Sequence, residues 1–153
     1  AVGYGLVTLR RHDRQDPIVR VSDLRAAPRP PTGTDVAAWF ERQEWLAHHT
    51  DPLAECYTRA PGLRLTQHAT HDGSEWSVDT QVLQHDLWSQ EVDPVTLALI
   101  DGADGTVPIR EQIAVLAAAF DTPEPTLAAM AAPVVTQLVE RGVLIPVSGR
   151  TPS

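Results

Sequence analysis

Histidine and carboxylate side chains at close spacing are the residues of this sequence that could do chemistry. They form three groups along the chain: His48, His49 and Asp51; His68, His71 and Asp72; and His85. Imidazole and carboxylate ligands suit zinc or iron. Neighbouring residues point in different directions on a helix, and the second group spans the end of an expected strand. A small His-based metalloenzyme therefore stays an open hypothesis, although solvated or hydrogen-bonded histidines fit this spacing better.

The single cysteine, Cys56, excludes a disulfide within the chain and a zinc site built on several thiolates. The sequence predicts Cys56 on the inward face of a helix, where a thiol is typically an inert packing residue. One cysteine suits a reducing compartment. No apolar run approaches the roughly 20 residues of a membrane span. We expect a cytoplasmic protein without a membrane segment.

No residue is predicted to be catalytic, to bind a cofactor or to bind a metal. Candidate acid and base groups fall on predicted helix surfaces as solvated charges: Glu41, Glu44, Glu55, Glu111 and Glu140. Gly3 and Gly5 precede no helix, so they do not form a nucleotide-binding turn. Tryptophans could stack a ligand, although burial is the commoner role. Trp76 and Trp88 are the more interesting pair, since they lie on or near a predicted hairpin.

The net charge of −8 is unevenly distributed. Residues 1–33 carry six arginines against three acids, whereas residues 34–153 carry six arginines against seventeen acids. An acidic body repels a phosphate backbone, and nucleic-acid affinity depends mainly on neutralising phosphates. Direct nucleic-acid binding is therefore disfavoured, and a basic partner is favoured.

The predicted fold is α+β in three parts, and the first two parts end at residue 92. Residues 1–33 contain an apolar strand over 2–10, a second short strand over 18–21 and a Pro-rich connector. Residues 34–92 contain a helical hairpin and a β-hairpin. The first helix starts at a cap on Thr34 or Asp35 and ends near His48, and the second starts at Asp51.

The β-hairpin is predicted around the turn residues 71–74. Leu63, Leu65 and Gln67 alternate with polar residues before the turn. After it, Trp76, Val78, Thr80 and Val82 alternate with polar residues. The pattern leaves open whether the hairpin belongs to a small sheet or is an arm lying on the helices.

Residues 93–153 have the order of a winged-helix-like unit. Helices are predicted over 93–101, 108–120 and 125–141, followed by a strand over 143–147. Gly142 should end the third helix, and Pro133 should kink or divide it. A DNA reader carries basic residues on this helix, but residues 125–140 contain none. The unit is therefore predicted to contact protein or to pack within its own chain.

Three segments resemble the C-terminal region of actinobacterial class I S-adenosylmethionine (SAM)-dependent methyltransferases: VGYGLVTLRR (2–11), DVAAWF (35–40) and QLVERGVLIP (137–146). These enzymes are related to amino-methylating proteins once described as adenine-specific DNA methylases. The first segment resembles the last, antiparallel strand of the methyltransferase sheet. The Gly-rich SAM loop of that family is absent, and its Asn-Pro-Pro-Tyr motif is impossible because the chain has no asparagine.

The resemblance implies that this chain is the C-terminal part of a larger protein. It would be a non-catalytic accessory domain that recognises or positions a basic protein or ribosomal substrate, with the methyltransferase core in cis. SAM would bind the parent protein and not this fragment. Without its parent sheet, the strand over residues 2–10 should be poorly ordered, fold back or pair with another chain. The alternative is a winged-helix interaction or regulatory module unconnected with methylation.

Overall fold

A computed structural model describes residues 7–11, 19, 21, 27 and 29–147. These residues form an α+β fold, which confirms the predicted class. The helices are α1 (Gly33–His48), α2 (Pro94–Gly102), α3 (Ile109–Ala119) and α4 (Glu124–Glu140). The strands are β1 (Cys56–Arg59), β2 (Arg64–His71), β3 (Trp76–His85), β4 (Trp88–Glu91), β5 (Asp104–Pro108) and β6 (Leu144–Pro146). Within the described ranges, no helix combines the length and the apolarity that crossing a membrane requires.

The predicted opening strand does not form over its described residues, 7–10. Val7 and Leu9 are 83% and 92% exposed, and no described strand lies beside them to complete a hydrogen-bonded ladder. Arg10 instead contacts α1, where it pairs with Glu44 at 3.3 Å. The rest of this prediction, residues 2–6, lies outside the described residues. The second predicted strand, over 18–21, is also wrong at its described positions 19 and 21.

Helix α1 begins slightly earlier than predicted, because Thr32 is its N-cap. The Thr32 hydroxyl accepts from the Asp35 backbone N–H at 3.4 Å, and the Asp35 carboxylate accepts from the Thr32 N–H at 2.7 Å. This reciprocal capping box satisfies two donors that the helix leaves unpaired. Asp35 is therefore the third helical residue and not the cap.

The predicted second helix is wrong, so there is no helical hairpin. Asp51 caps and Pro52 starts a helix as expected, but only a single 3-10 turn forms before the chain becomes β1. The Tyr57 ring is fully buried and its hydroxyl donates to the Pro52 carbonyl at 2.8 Å. Cys56 is half-buried on this strand and not on a helix. Pairing with two distant strands outweighed the local helix signal.

The second half has the order helix, strand, helix, helix, strand, and β5 is the element that the sequence pattern did not predict. Strands β5, β1 and β6 form one antiparallel sheet with β1 in the middle. The winged-helix-like helices thus pack beside a sheet whose central strand comes from upstream. Helix α4 stays continuous through Pro133, and Gly142 ends it with a φ of 75°.

The core lies between α3, α4 and this sheet. Its fully buried side chains come from β1, α2, α3, α4 and β6: Tyr57, Leu99, Ile100, Ile109, Ile113, Val135, Leu138, Val139 and Leu144. Helix α1 joins them through the C-terminal end of α4. There Arg42 Nε donates to the Glu140 carbonyl at 3.0 Å, and buried Gln43 donates to the Glu140 carboxylate at 2.9 Å.

Candidate functional site on an exposed beta arm

A second sheet has the order β2-β3-β4, and most of its hairpin extends beyond the part that β4 covers. Strand β4 pairs with β3 only from Val82 to His85. Every residue of β2 is exposed. We call β2 together with residues 76–81 of β3 the β-arm. The structure confirms the predicted hairpin. The hairpin belongs to a small sheet and does not lie on the helices, because β2 is the edge strand of the sheet β2-β3-β4 and is exposed.

The turn at the tip of the arm is held by Asp72. Its carboxylate accepts from the Ser74 hydroxyl at 2.7 Å and from the Ser74 and Glu75 backbone N–H groups at 2.8 and 3.0 Å. These hydrogen bonds, the Ser74 hydroxyl first, lower the pKa of Asp72 to about 2. Gly73 supplies the φ of 103° that the turn requires. The tip is therefore ordered by its own side chains.

A β-bulge in the middle of the arm changes which side chains share a face. Ala69 pairs with Val78, but the preceding residue, His68, pairs with Thr80, so Asp79 is an extra residue in β3. Residues directly opposite each other lie on the same face. The bulge therefore places Thr80 on the face opposite Val78, although the two residues are only two positions apart in β3.

The bulge aligns apolar side chains along one face of the arm. From the core outward, the opposed pairs on this face are Leu65 with Leu83, Gln67 with Gln81, Ala69 with Val78, and His71 with Trp76. Leu83 is buried in the core, whereas Leu65, Val78 and Trp76 are 41%, 49% and 71% exposed. The apolar face of the arm thus starts at the core with Leu65 and Leu83, is interrupted by the Gln67–Gln81 pair, and is open to solvent at its tip.

The opposite face of the arm is polar. The Thr70 hydroxyl donates to the Asp79 carboxylate at 2.5 Å, and His68 and Thr80 lie beside this pair. Aspartate is uncommon in the interior of strands. The presence of Asp79 within β3 is the only sequence signal that could have indicated the bulge. The arm therefore presents two chemically different faces.

A cleft of about 530 Å³ runs beside β3 where β4 stops. It is lined by residues 78–81 and 91–94. Among the described residues that line it, the charged ones are Asp79, Glu91 and Asp93, and none is basic. Burial raises the pKa of Asp93, but the Thr96 hydrogen bonds outweigh it and the net shift is downward. The cleft is therefore acidic.

The histidines that could have bound a metal are dispersed, and each of four has its own partner. His48 and His49 donate to the Glu44 and Trp45 carbonyls of their own helix at 2.7 and 2.8 Å. His71 accepts from the Gly73 N–H at 3.1 Å, and His85 lies 3.4 Å from Asp86. Over the described part of the chain, no three His, Cys, Asp or Glu side chains are placed to hold a metal ion.

Of the four tryptophans, Trp76 alone is largely exposed. Trp45 stacks on His49 with ring centroids 4.0 Å apart and contacts Tyr57 edge-on. The Arg141 guanidinium carbon lies 5.2 Å above the ring centroid of Trp88, the other tryptophan of the pair noted in the sequence. Trp76 contacts the edge of the His71 ring with centroids 5.1 Å apart. Trp76 is therefore the tryptophan that remains available to a partner.

The fold and the arm define a small α+β domain with a projecting hairpin. A family model described as a domain of unknown function, DUF7782, matches residues 37–146, and the chain belongs to this family. The matched range includes both the β-arm and the winged-helix-like half. Comparisons with curated proteins and with solved structures gave no match.

Proposed function

We propose that this chain is a non-catalytic accessory domain that recognises or positions a protein substrate for a SAM-dependent methyltransferase core in cis. The observation that carries the recognition part is the apolar face of the β-arm, where Leu65, Val78 and Trp76 are aligned and exposed. Exposed apolar patches mark interaction sites, and tryptophan is enriched among the residues that dominate binding energy. The link to methylation depends on the resemblance of three segments to methyltransferase C-terminal regions.

Charge supports a basic protein partner, such as a ribosomal protein. Residues 34–153 carry seventeen acids against six arginines, and α4 carries no basic residue. A phosphate backbone would be repelled by this surface, whereas a basic protein would be steered toward it. A cytoplasmic location accords with such a partner and with the single cysteine. SAM would bind the core of the parent protein.

The test compares the longer protein with this chain alone. SAM should raise the melting temperature of the longer protein and leave that of the 153-residue chain unchanged, since ligand binding stabilises only the part that binds. Clear SAM binding by the chain alone would contradict the accessory role. A longer protein that neither binds SAM nor transfers methyl groups would favour the alternative, an interaction module unconnected with methylation.

Substitution of Trp76 tests the recognition part. In the longer protein, Trp76→Ala should raise the KM for methyl transfer to ribosomal proteins about tenfold or more. The kcat and the affinity for SAM should not change, because the proposal assigns Trp76 to substrate binding and not to SAM binding or to the methyl transfer itself. Met130→Ala, which removes an exposed apolar side chain from α4, is the matched control. Equal KM values for the two variants would rule out the arm as the contact surface.

A further inference from the structure

The edge of β3 is open where the cleft begins. The last hydrogen bond on this side of β3 runs from the Val92 N–H to the Gln81 carbonyl at 2.8 Å. Beyond it, no strand within the described ranges pairs with residues 76–80 on the side away from β2. An unpaired strand edge is a template for another extended segment. The cleft therefore lies beside β3 in line with β4, which pairs with residues 82–85 of the same strand.

The reason for the opening is the start of α2. Asp93 accepts from the Thr96 N–H and hydroxyl, both at 2.8 Å, and Pro94 occupies the first helical turn. This cap turns the chain away from β3 immediately after β4. A helix cannot continue the ladder, so no described strand occupies the position next to residues 76–80. The opening is built by a capped helix and is not a consequence of a loose loop.

The charges of the cleft select the occupant. Asp79, on the polar face, and Glu91, at the end of β4, are both exposed. With Asp93 they give three carboxylates along a path one strand wide, and no described cation lines it. Side chains of an extended peptide alternate between the two faces of a sheet. A peptide with basic residues at alternate positions would place cations near these carboxylates.

We infer that the cleft beside β3 binds an extended basic peptide segment of a partner protein, which adds to the sheet as a strand alongside residues 76–80. Main-chain hydrogen bonds to the β3 edge supply affinity, and Asp79 and Glu91 supply the preference for Arg or Lys. This inference rests on the proposed recognition function and specifies the segment that is recognised. It uses the edge of the arm, whereas the Trp76 test uses its apolar face.

The experiment measures the fluorescence anisotropy of a labelled hexapeptide of alternating Val and Arg as the 153-residue chain is added. A second peptide has the same sequence with N-methylated alternate amides, which keeps its charge and removes the donors that a strand needs. A third peptide replaces each Arg with Glu. We expect binding of the first peptide, at least about tenfold weaker binding of the N-methylated peptide and no binding of the acidic one.

Substitutions in the cleft complete the test. The double substitution Asp79→Asn with Glu91→Gln should weaken binding of the basic peptide about tenfold, and Glu41→Gln on α1 should not change it. Amide hydrogen exchange of residues 76–80 should slow in the complex. Equal affinity for the two basic peptides would overturn the inference, because attraction would then be by charge alone. Absence of binding by the basic peptide would also overturn the inference about the cleft. The proposed function would still be supported in that case if Trp76→Ala raised the KM.

Discussion

At the scale of single residues, short side-chain hydrogen bonds at element boundaries order the described chain. Asp35 shows this most clearly. Arg29 donates to its carboxylate at 2.7 and 2.8 Å, and Thr32 donates through both its backbone N–H and its hydroxyl. The Arg29 hydrogen bonds, followed by those of Thr32, hold the pKa of Asp35 well below its ordinary value of 3.8. One carboxylate thus completes the capping box of α1 and anchors the segment before it.

Substitution Asp35→Ala should lower the free energy of unfolding by about 1 kcal/mol near neutral pH, because it removes one half of the capping box, and a lost capping hydrogen bond typically costs this much. The folded pKa is depressed, so the contribution of the carboxylate is present above pH 3.8 and is lost as pH falls below that value. Urea unfolding at pH 7 and pH 3 measures the change. Glu41→Ala, at an exposed position of the same helix, is the control. A difference that does not shrink at pH 3 would show that the charge is not its source.

At the scale of elements, the ends of helices and the bulge of β3 determine what each surface presents. The C-terminal end of α4 is an example, since Gly142 adopts a left-handed φ of 75° beside Arg42. A Cβ at this position would lie 3.3 Å from the Arg42 guanidinium carbon. That guanidinium holds the Glu140 carbonyl, so the same point joins α4 to α1.

Substitution Gly142→Ala should therefore destabilise the protein by about 1 kcal/mol or more, because a left-handed φ strains residues with a Cβ. Gly33→Ala is the matched control, since a Cβ there would have no neighbour within 4 Å and the residue lies in helix α1. The control should be neutral or slightly stabilising. Chemical unfolding of both variants measures the change. Equal stabilities would contradict the assigned role of Gly142.

At the scale of the whole molecule, a packed body carries an arm that contributes little to the core. The core joins β1, α2, α3, α4 and β6, and the arm adjoins it at its base, where Leu65 is paired with the buried Leu83. The exposed residues of the arm bury too little apolar surface to offset the conformational entropy that they lose on ordering. An element that adds little stability yet displays Trp76 is consistent with a role in recognition.

Replacing residues 67–81 with Asn-Gly tests this division. Thr66 and Val82 are directly paired, so a two-residue turn can join them without changing the register below. The melting temperature should change by less than about 4 °C, because the removed segment contains no buried side chain. Leu83→Ala, at a buried position of the same strand, should cost about 2 to 4 kcal/mol. A truncated protein that melts as low as Leu83→Ala would show that the arm is part of the core.

The sequence by itself determined the features that depend on neighbouring residues. Asp93 with Pro94 started α2, Gly142 ended α4, and the residues around Gly73 formed the hairpin turn, because caps and turns are hydrogen bonds between side chains and the adjacent backbone. These hydrogen bonds depend on the local sequence and not on distant parts of the chain.

The tertiary structure decided the features that depend on distant residues. Asp51 and Pro52 predicted a helix, but residues 56–59 became the central strand because Pro108 and Ile145 offered ladder partners that lie far along the chain. Pairing of β3 with β2 introduced the bulge that places Val78 and Thr80 on opposite faces. The exposure of Trp76 and the open edge of β3 followed from where β4 ends. Strand pairing and burial are non-local, so a local pattern cannot determine them.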